Sequence, residues 1–251
     1  MDDTLITRSE VIVDGRSLLQ LTSGRRTSLP PIVMVPGLGY RELLFPWMRE
    51  LSTWTHVTLL DLPGWHRHRA AACEPTVTGV AEAVADWLRG ADAPPPILVG
   101  HSTGAQAALR SAVAVPDHLE AVVLAGPTLD PAARHWPQLI ARYCRPLWRE
   151  PPAELAAVRR SLVAGRISPV IELIESAMVD RPEDLVTQLS VPAMILAGQH
   201  DRVAPPAWCR RLADLGRARL RTLPGGHNFC FPQAVLADQA VREAVRNRWS
   251  S

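Results

Sequence analysis

The sequence predicts an α/β domain, a mostly parallel sheet with helices on both faces. Three observations carry this expectation. Short apolar runs recur at 32–35, 57–60, 97–99, 119–125 and 193–197, without the polar alternation of a half-exposed strand. Segments of helical spacing separate them, the pattern of parallel strands joined by helical crossovers. The chain has 251 residues, 47% apolar and 21% charged, which is enough to bury a sizeable core.

The first element reads as a hairpin, 10–13 and 17–21, around the turn pair Asp14-Gly15. The run 32–35 ends in Pro36-Gly37, and 41–52 can be helical. The run 57–60 ends at Asp61. Segment 76–89 places Val77, Val80, Ala81, Val84 and Leu88 at helical spacing. Run 97–99 enters Gly100, and the alanine-rich 102–115 is helical. Between Gly126 and Val191 about 65 residues contain no clear strand, where a crossover needs only about a dozen.

This surplus, 127–190, reads as a helical insertion dividing a core of 1–126 and 191–251. Its candidate helices are 132–143, 153–164 and 169–179. The third has a stripe of Val170, Ile171, Ile174, Ala177 and Met178. Alternation resumes with a strand at 193–197, a helix at 205–215, a strand at 218–223 and a closing helix at 233–246.

The sharpest chemical signal is Gly100-His101-Ser102-Thr103-Gly104, between a predicted strand and a predicted helix. Such a turn projects a serine hydroxyl above the sheet edge, and glycines on either side allow the crowding. G-x-S-x-G arises by chance in about one chain in twenty of this composition, so its context matters. A serine hydroxyl needs a positioned base. His227, in Gly225-Gly226-His227 just past the last predicted strand, would share the serine's edge of the sheet. The imidazole needs a carboxylate, and Asp201, directly after the run 193–197, is the candidate. Asp130 is the runner-up. An oxyanion needs preorganised donors. The backbone N–H of Thr103 is one, and that of Leu38, in Pro36-Gly37-Leu38-Gly39, is the other.

These segments together resemble the α/β-hydrolase superfamily, over 10–246. The matching pieces are Val35-Pro36-Gly37-Leu38-Gly39, Asp61-Leu62-Pro63-Gly64, Gly100-His101-Ser102-Thr103-Gly104, the Asp201 turn and Gly225-Gly226-His227. The resemblance implies the α/β-hydrolase fold: an eight-stranded, mostly parallel sheet with a lid inserted after the sixth strand. It implies Ser102 as nucleophile, His227 as base and Asp201 as acid. Many relatives have His-Gly where this chain has Pro36-Gly37. The loop Trp65-His66-Arg67-His68 replaces a smaller turn and puts bulk near one wall of the site.

Other classes are disfavoured. With 27 basic against 25 acidic residues and a net charge of +2, no dedicated nucleic-acid surface is expected. The chain contains no lysine, which removes Schiff-base chemistry, covalent pyridoxal phosphate and the phosphate-binding P-loop. Neither a secretory signal nor an apolar run near the ~18 residues of a membrane span is visible. Cys73, Cys144, Cys209 and Cys230 lie scattered, suggesting neither a zinc site nor a disulfide framework. His66-x-His68 lacks further ligands and reads as a solvated loop.

His101 is expected to point away from the reacting centre, and His200 is an unsuited neighbour of Asp201. Trp65, Trp136, Tyr143 and Trp148 are candidate pocket residues. The sum is a cytoplasmic hydrolase of a carboxylic ester, lactone or thioester, without metal or cofactor, taking a small, largely apolar substrate. Carbon–carbon hydrolysis, perhydrolysis, acyl transfer or a ligand receptor on the same shell stay open, as does the oligomeric state.

Overall fold

The computed structural model describes residues 6–64, 71–144 and 167–249. Eight strands form one sheet: β1 (Thr7–Val13), β2 (Arg16–Ser23), β3 (Ile32–Val35), β4 (Val57–Leu60), β5 (Ile97–His101), β6 (Ala121–Ala125), β7 (Ala193–Gly198) and β8 (Arg219–Leu223). Their order is β1-β2-β4-β3-β5-β6-β7-β8. The hairpin pairs β1 with β2, and β2 pairs with β4, both antiparallel. Every other pairing is parallel, so β3 to β8 end on one common edge.

The uninterrupted apolar runs have a direct cause. Ile32 and Met34 of β3, Ile97 and Val99 of β5, and Met194 and Leu196 of β7 enter one buried cluster. Their alternates Val33, Val35, Leu98, Ile195 and Ala197 enter the other. Because successive side chains point to opposite faces, a strand covered on both sides has few positions left for a polar residue. The first cluster lies under helices α1 (Phe45–Ser52) and α8 (Ala234–Arg246). The second lies under α2 (Val77–Gly90), α3 (Thr103–Ala114) and α7 (Pro206–Gly216).

Local chemistry sets the boundaries. Asp14 and Gly15, with φ of 46° and 72°, make the turn whose twist matches the flanking strands. Thr76 caps α2, its hydroxyl accepting from Gly79 N–H at 2.9 Å. The expected helix 41–52 divides into a 3-10 segment, Arg41–Leu44, and α1, which carries Pro46 in its first turn. Proline lacks the N–H that a continuous helix needs at that point. The expected helix 132–143 divides for the same reason. A 3-10 turn, Pro131–Ala133, is followed by α4 (Trp136–Cys144), with Pro137 at its start.

Between β6 and β7 the described chain also forms α5 (Ile167–Val179) and a single turn, α6 (Pro182–Leu185). The expected helix 153–164 lies outside the described residues. In α5 the buried stripe includes Leu173 in place of Ile171, which is exposed. Residues 170, 173, 174, 177 and 178 form the tighter 3-4 repeat, and Ile171 falls about a quarter of a turn off its centre.

Helix α5 is fastened to α2 and α3 by polar contacts. Val77 N–H donates to Ser176 Oγ at 2.9 Å. The fully buried Gln106 donates through Nε2 to Asp180 Oδ2 at 2.9 Å and accepts from Thr128 Oγ1 at 2.9 Å. Arg110 Nε donates to Asp180 Oδ1 at 2.7 Å. Asp180→Ala removes acceptors from a buried amide and a guanidinium. An unsatisfied buried donor costs about 1–3 kcal/mol. The variant should show a urea midpoint lowered accordingly at unchanged m value. A midpoint equal to wild type would mean that other acceptors replace the carboxylate.

Candidate active site

Ser102 sits between β5 and α3 with φ 58° and ψ −124°, a conformation rare for any residue with a side chain. Two close approaches hold it there. A Cβ on Gly100 would lie 2.3 Å from the Gly104 carbonyl oxygen, and one on Gly104 would lie 2.4 Å from that of Val35. Glycine at both places lets α3 start directly against the ends of β5 and β3. The Ser102 N–H donates to the Ala125 carbonyl at 2.9 Å, tying the turn to β6.

The loop after β8 brings His227 to the same edge. His227 Nε2 lies 2.9 Å from Ser102 Oγ, and Nδ1 lies 2.8 Å from Asp201 Oδ2. Asp201 follows β7. Its other oxygen, Oδ1, accepts the N–H groups of Val203 at 2.8 Å and Ala204 at 2.9 Å. These two donors leave Oδ2 aimed at the imidazole. The two loops are also joined, Gln199 N–H to the Leu223 carbonyl at 2.7 Å and His200 N–H to that of Gly225 at 2.8 Å. Ser102, Asp201 and His227 are all buried. With its Nδ1–H donating to the carboxylate, the imidazole presents a lone pair at Nε2 to the serine proton. Such a chain can deprotonate the hydroxyl as it attacks an electrophilic carbon.

The rival carboxylate is occupied elsewhere. Asp130 Oδ2 accepts from Arg142 at 2.7 Å, and its Oδ1 caps the turn at Ala132 N–H, 3.2 Å away. The thiols of the described side chains are not rivals either. Cys73, Cys209 and Cys230 are buried and free, and burial pushes the Cys73 thiol up to about 12. A thiol in that state is inert at neutral pH.

Leu38 takes a left-handed conformation, φ 47° and ψ 25°. Its N–H points back at α3 and donates to Thr103 Oγ1 at 2.9 Å. The loop therefore stands beside Ser102 as expected, but this donor is engaged by a side chain that sequence reasoning did not weigh. Of the expected pocket residues, Trp136 is partly exposed at the start of α4. Trp65 and Trp148 lie outside the described residues, as do His66, His68 and the side chain of Tyr143. Among the described residues, no group of three or more His, Cys, Asp or Glu could hold a metal ion. No helix among them is long and apolar enough to cross a membrane.

His101 departs from expectation. Its side chain does not turn away from the centre. Nε2–H donates to the His227 backbone carbonyl at 3.1 Å, and the two rings are 5.3 Å apart. The sequence signal was available: a second histidine one residue before the serine, in a strand covered on both sides. Burial, and then the neighbouring His227, hold its pKa down at about 4. The proton is thus bound in the unfolded chain but not in the folded one between about pH 6.5 and 4. Stability from this group is complete above about pH 6.5 and is lost as pH falls toward 4. The size is on the order of 3 kcal/mol. Denaturation across this range should show wild type losing more stability than His101→Gln. Parallel curves would remove His101 as the cause.

A cavity of about 650 Å³, lined by Val33, Thr58, Trp87 and Pro96 among others, opens at the amino edge of the parallel strands. Ser102 lies past their carboxyl ends, so this cavity and the site are on opposite edges of the sheet.

A family model described as the alpha/beta hydrolase family matches residues 32–243. No curated protein matches the chain. Among solved structures, the enol-lactonase from Burkholderia xenovorans aligns with a TM-score of 0.78 at 23% identity, over 94% of this chain and 98% of that one. A thermophilic esterase from Thermogutta terrifontis aligns at 0.77 and 21%, over 97% and 100%. An E-2-(acetamidomethylene)succinate hydrolase aligns at 0.78 and 16%, over 95% and 98%. These identities speak for shared architecture. The family model spans β3 to α8, including every loop that meets at Ser102, and the chain belongs to the alpha/beta hydrolase family.

Proposed function

We propose that the protein is a serine hydrolase that cleaves a carboxylic ester, lactone or thioester of a small, largely apolar substrate. The observation that carries this reading is the continuous contact from Ser102 Oγ to His227 Nε2 to Asp201 Oδ2, at 2.9 and 2.8 Å. Ser102 Oγ attacks the acyl carbon while its proton passes to Nε2 and the carbonyl π pair moves onto oxygen. Asp201 holds the imidazole in the right tautomer and stabilises its positive charge. The oxyanion is received at the Thr103 N–H and the Leu38 loop. When the carbonyl re-forms, the bond to the leaving alcohol or thiol breaks, and the leaving group takes the proton from Nε2. Water then repeats the sequence and releases the acid.

In this reading the insertion 127–190 roofs the carboxyl edge as a cap. Trp65, Trp136, Tyr143 and Trp148 contribute to an apolar pocket beneath it. The range of acyl substrates named for the aligned structures, a lactone and an ester among them, agrees with this breadth. The test is a panel of p-nitrophenyl esters, thioesters and lactones, together with a fluorophosphonate probe located by peptide mass spectrometry. Turnover of at least one acyl class and labelling at Ser102 are expected. A folded protein that leaves Ser102 unlabelled and hydrolyses none of the panel would overturn the reading.

A further inference from the structure

We propose that the side-chain hydroxyl of Thr103 is itself a donor to the oxyanion, with Leu38 acting from behind it. This rests on the hydrolase reading above and deepens it. The expectation from sequence was that two backbone N–H groups, of Leu38 and Thr103, face the acyl oxygen directly. The geometry differs. The Leu38 N–H is spent on Thr103 Oγ1, 2.9 Å away and buried. Leu38 is fixed in that direction by its left-handed backbone and by the crowding of Gly37 against Ser102.

The proton of the Thr103 hydroxyl then needs an acceptor. A threonine inside a helix commonly donates to the carbonyl four residues back. Thr103 is the first residue of α3, and the residue four positions earlier, Val99, belongs to β5. Among the described residues Thr103 Oγ1 makes no further hydrogen bond. The hydroxyl therefore accepts from Leu38 and has a proton to offer, on the residue that directly follows Ser102. An O–H that accepts an N–H bond is polarised and becomes a stronger donor.

Negative charge developing on the acyl oxygen is met by the Thr103 N–H and the Thr103 O–H. The proton stays on Oγ1 throughout, and the bond shortens as charge builds. Leu38 is a positioning residue in this scheme, since it orients and polarises the hydroxyl without touching substrate. A leucine or methionine at position 103 would free the Leu38 N–H but remove the hydroxyl, so the two arrangements differ in which group the substrate meets.

The experiment measures kcat and KM, on the best ester of the panel, for wild type, Thr103→Val, Thr103→Ala, Thr103→Ser and Ser102→Ala. Valine keeps the shape of threonine without the hydroxyl, and alanine removes the hydroxyl together with the methyl, so no group is left to clash. Loss of one oxyanion donor costs about a hundredfold in kcat. Both should fall by about that factor with KM within about twofold, and serine should recover most of the loss. Valine and alanine variants with wild-type or higher kcat would mean that the hydroxyl only plugs the Leu38 N–H, and the proposal would fail. Serine falling as far as valine would also overturn it, because restoring the hydroxyl would then restore no turnover. Ser102→Ala separates this failure from that of the hydrolase reading. If Ser102→Ala is inactive while Thr103→Val is unimpaired, the nucleophile stands and only the hydroxyl's role is lost.

Discussion

Alanine at position 102 should lower kcat/KM by about a thousandfold or more, and alanine at 227 by a similar factor. A thousandfold corresponds to about 4 kcal/mol of transition-state stabilisation. The two effects have one origin. In the proposed mechanism the hydroxyl gives its proton to the imidazole 2.9 Å away, and Asp201, 2.8 Å from the far nitrogen, holds that imidazole in place. Groups that act in series give losses that do not add, so the Ser102→Ala, His227→Ala double variant should be little worse than either single one. Neither change should disturb the fold greatly, because Ser102 packs through its backbone bond to Ala125 and His227 receives the bond from His101 on its carbonyl. Steady-state kinetics with thermal melts as a fold control reads this. A variant that keeps even a tenth of wild-type turnover would remove that residue from the chemistry.

Gly37→Ala should lower kcat by about a hundredfold. A Cβ at this position would lie 2.6 Å from Ser102 Cβ, 2.8 Å from the His101 carbonyl oxygen and 3.2 Å from Ser102 Oγ. The carbonyl belongs to the end of β5 and has no room to retreat, so the loop must lift or the serine must tilt. A misplacement of about 1 Å at a reacting centre costs about a hundredfold. Overpacking also destabilises, by about 1–3 kcal/mol. For a chain of this size that lowers the melting temperature by several degrees, roughly 2–4 °C per kcal/mol. The activity loss should persist at temperatures where the variant is fully folded. Full activity there would show that the loop has slack that the contacts at Ser102 do not suggest.

The elements that were legible in the sequence share a cause. A strand buried on both faces is apolar at nearly every position, so β3, β4, β6 and β7 were readable with nearly their final bounds, Thr58 of β4 being the polar exception. The turn at Asp14-Gly15 and the serine turn were readable because each needs a backbone shape that few residues tolerate. The misplacements were of two kinds. The helices expected at 41–52 and 132–143 ran across Pro46 and Pro137, where the missing N–H restarts the helix. Ile171 was put on the buried side of α5 in place of Leu173. Periodicity alone left both registers open, and only packing against α2 and α3 chose between them.

What the sequence determined by itself was the layered α/β architecture and the position of three candidate side chains, each just beyond a strand's carboxyl end. These follow from local rules of burial, turn shape and strand order. What only the tertiary structure decided was direction. Asp130 and Asp201 both follow a strand of the same edge. One is drawn away by Arg142, while the other is turned to His227 by the N–H groups of Val203 and Ala204. His101 was expected to point away from the reacting centre and instead donates to the backbone carbonyl of His227. The N–H of Leu38 meets the hydroxyl of Thr103, 65 positions along the chain. Each outcome depends on hydrogen-bond partners brought together by folding from distant segments, and spacing along a single chain carries no record of them.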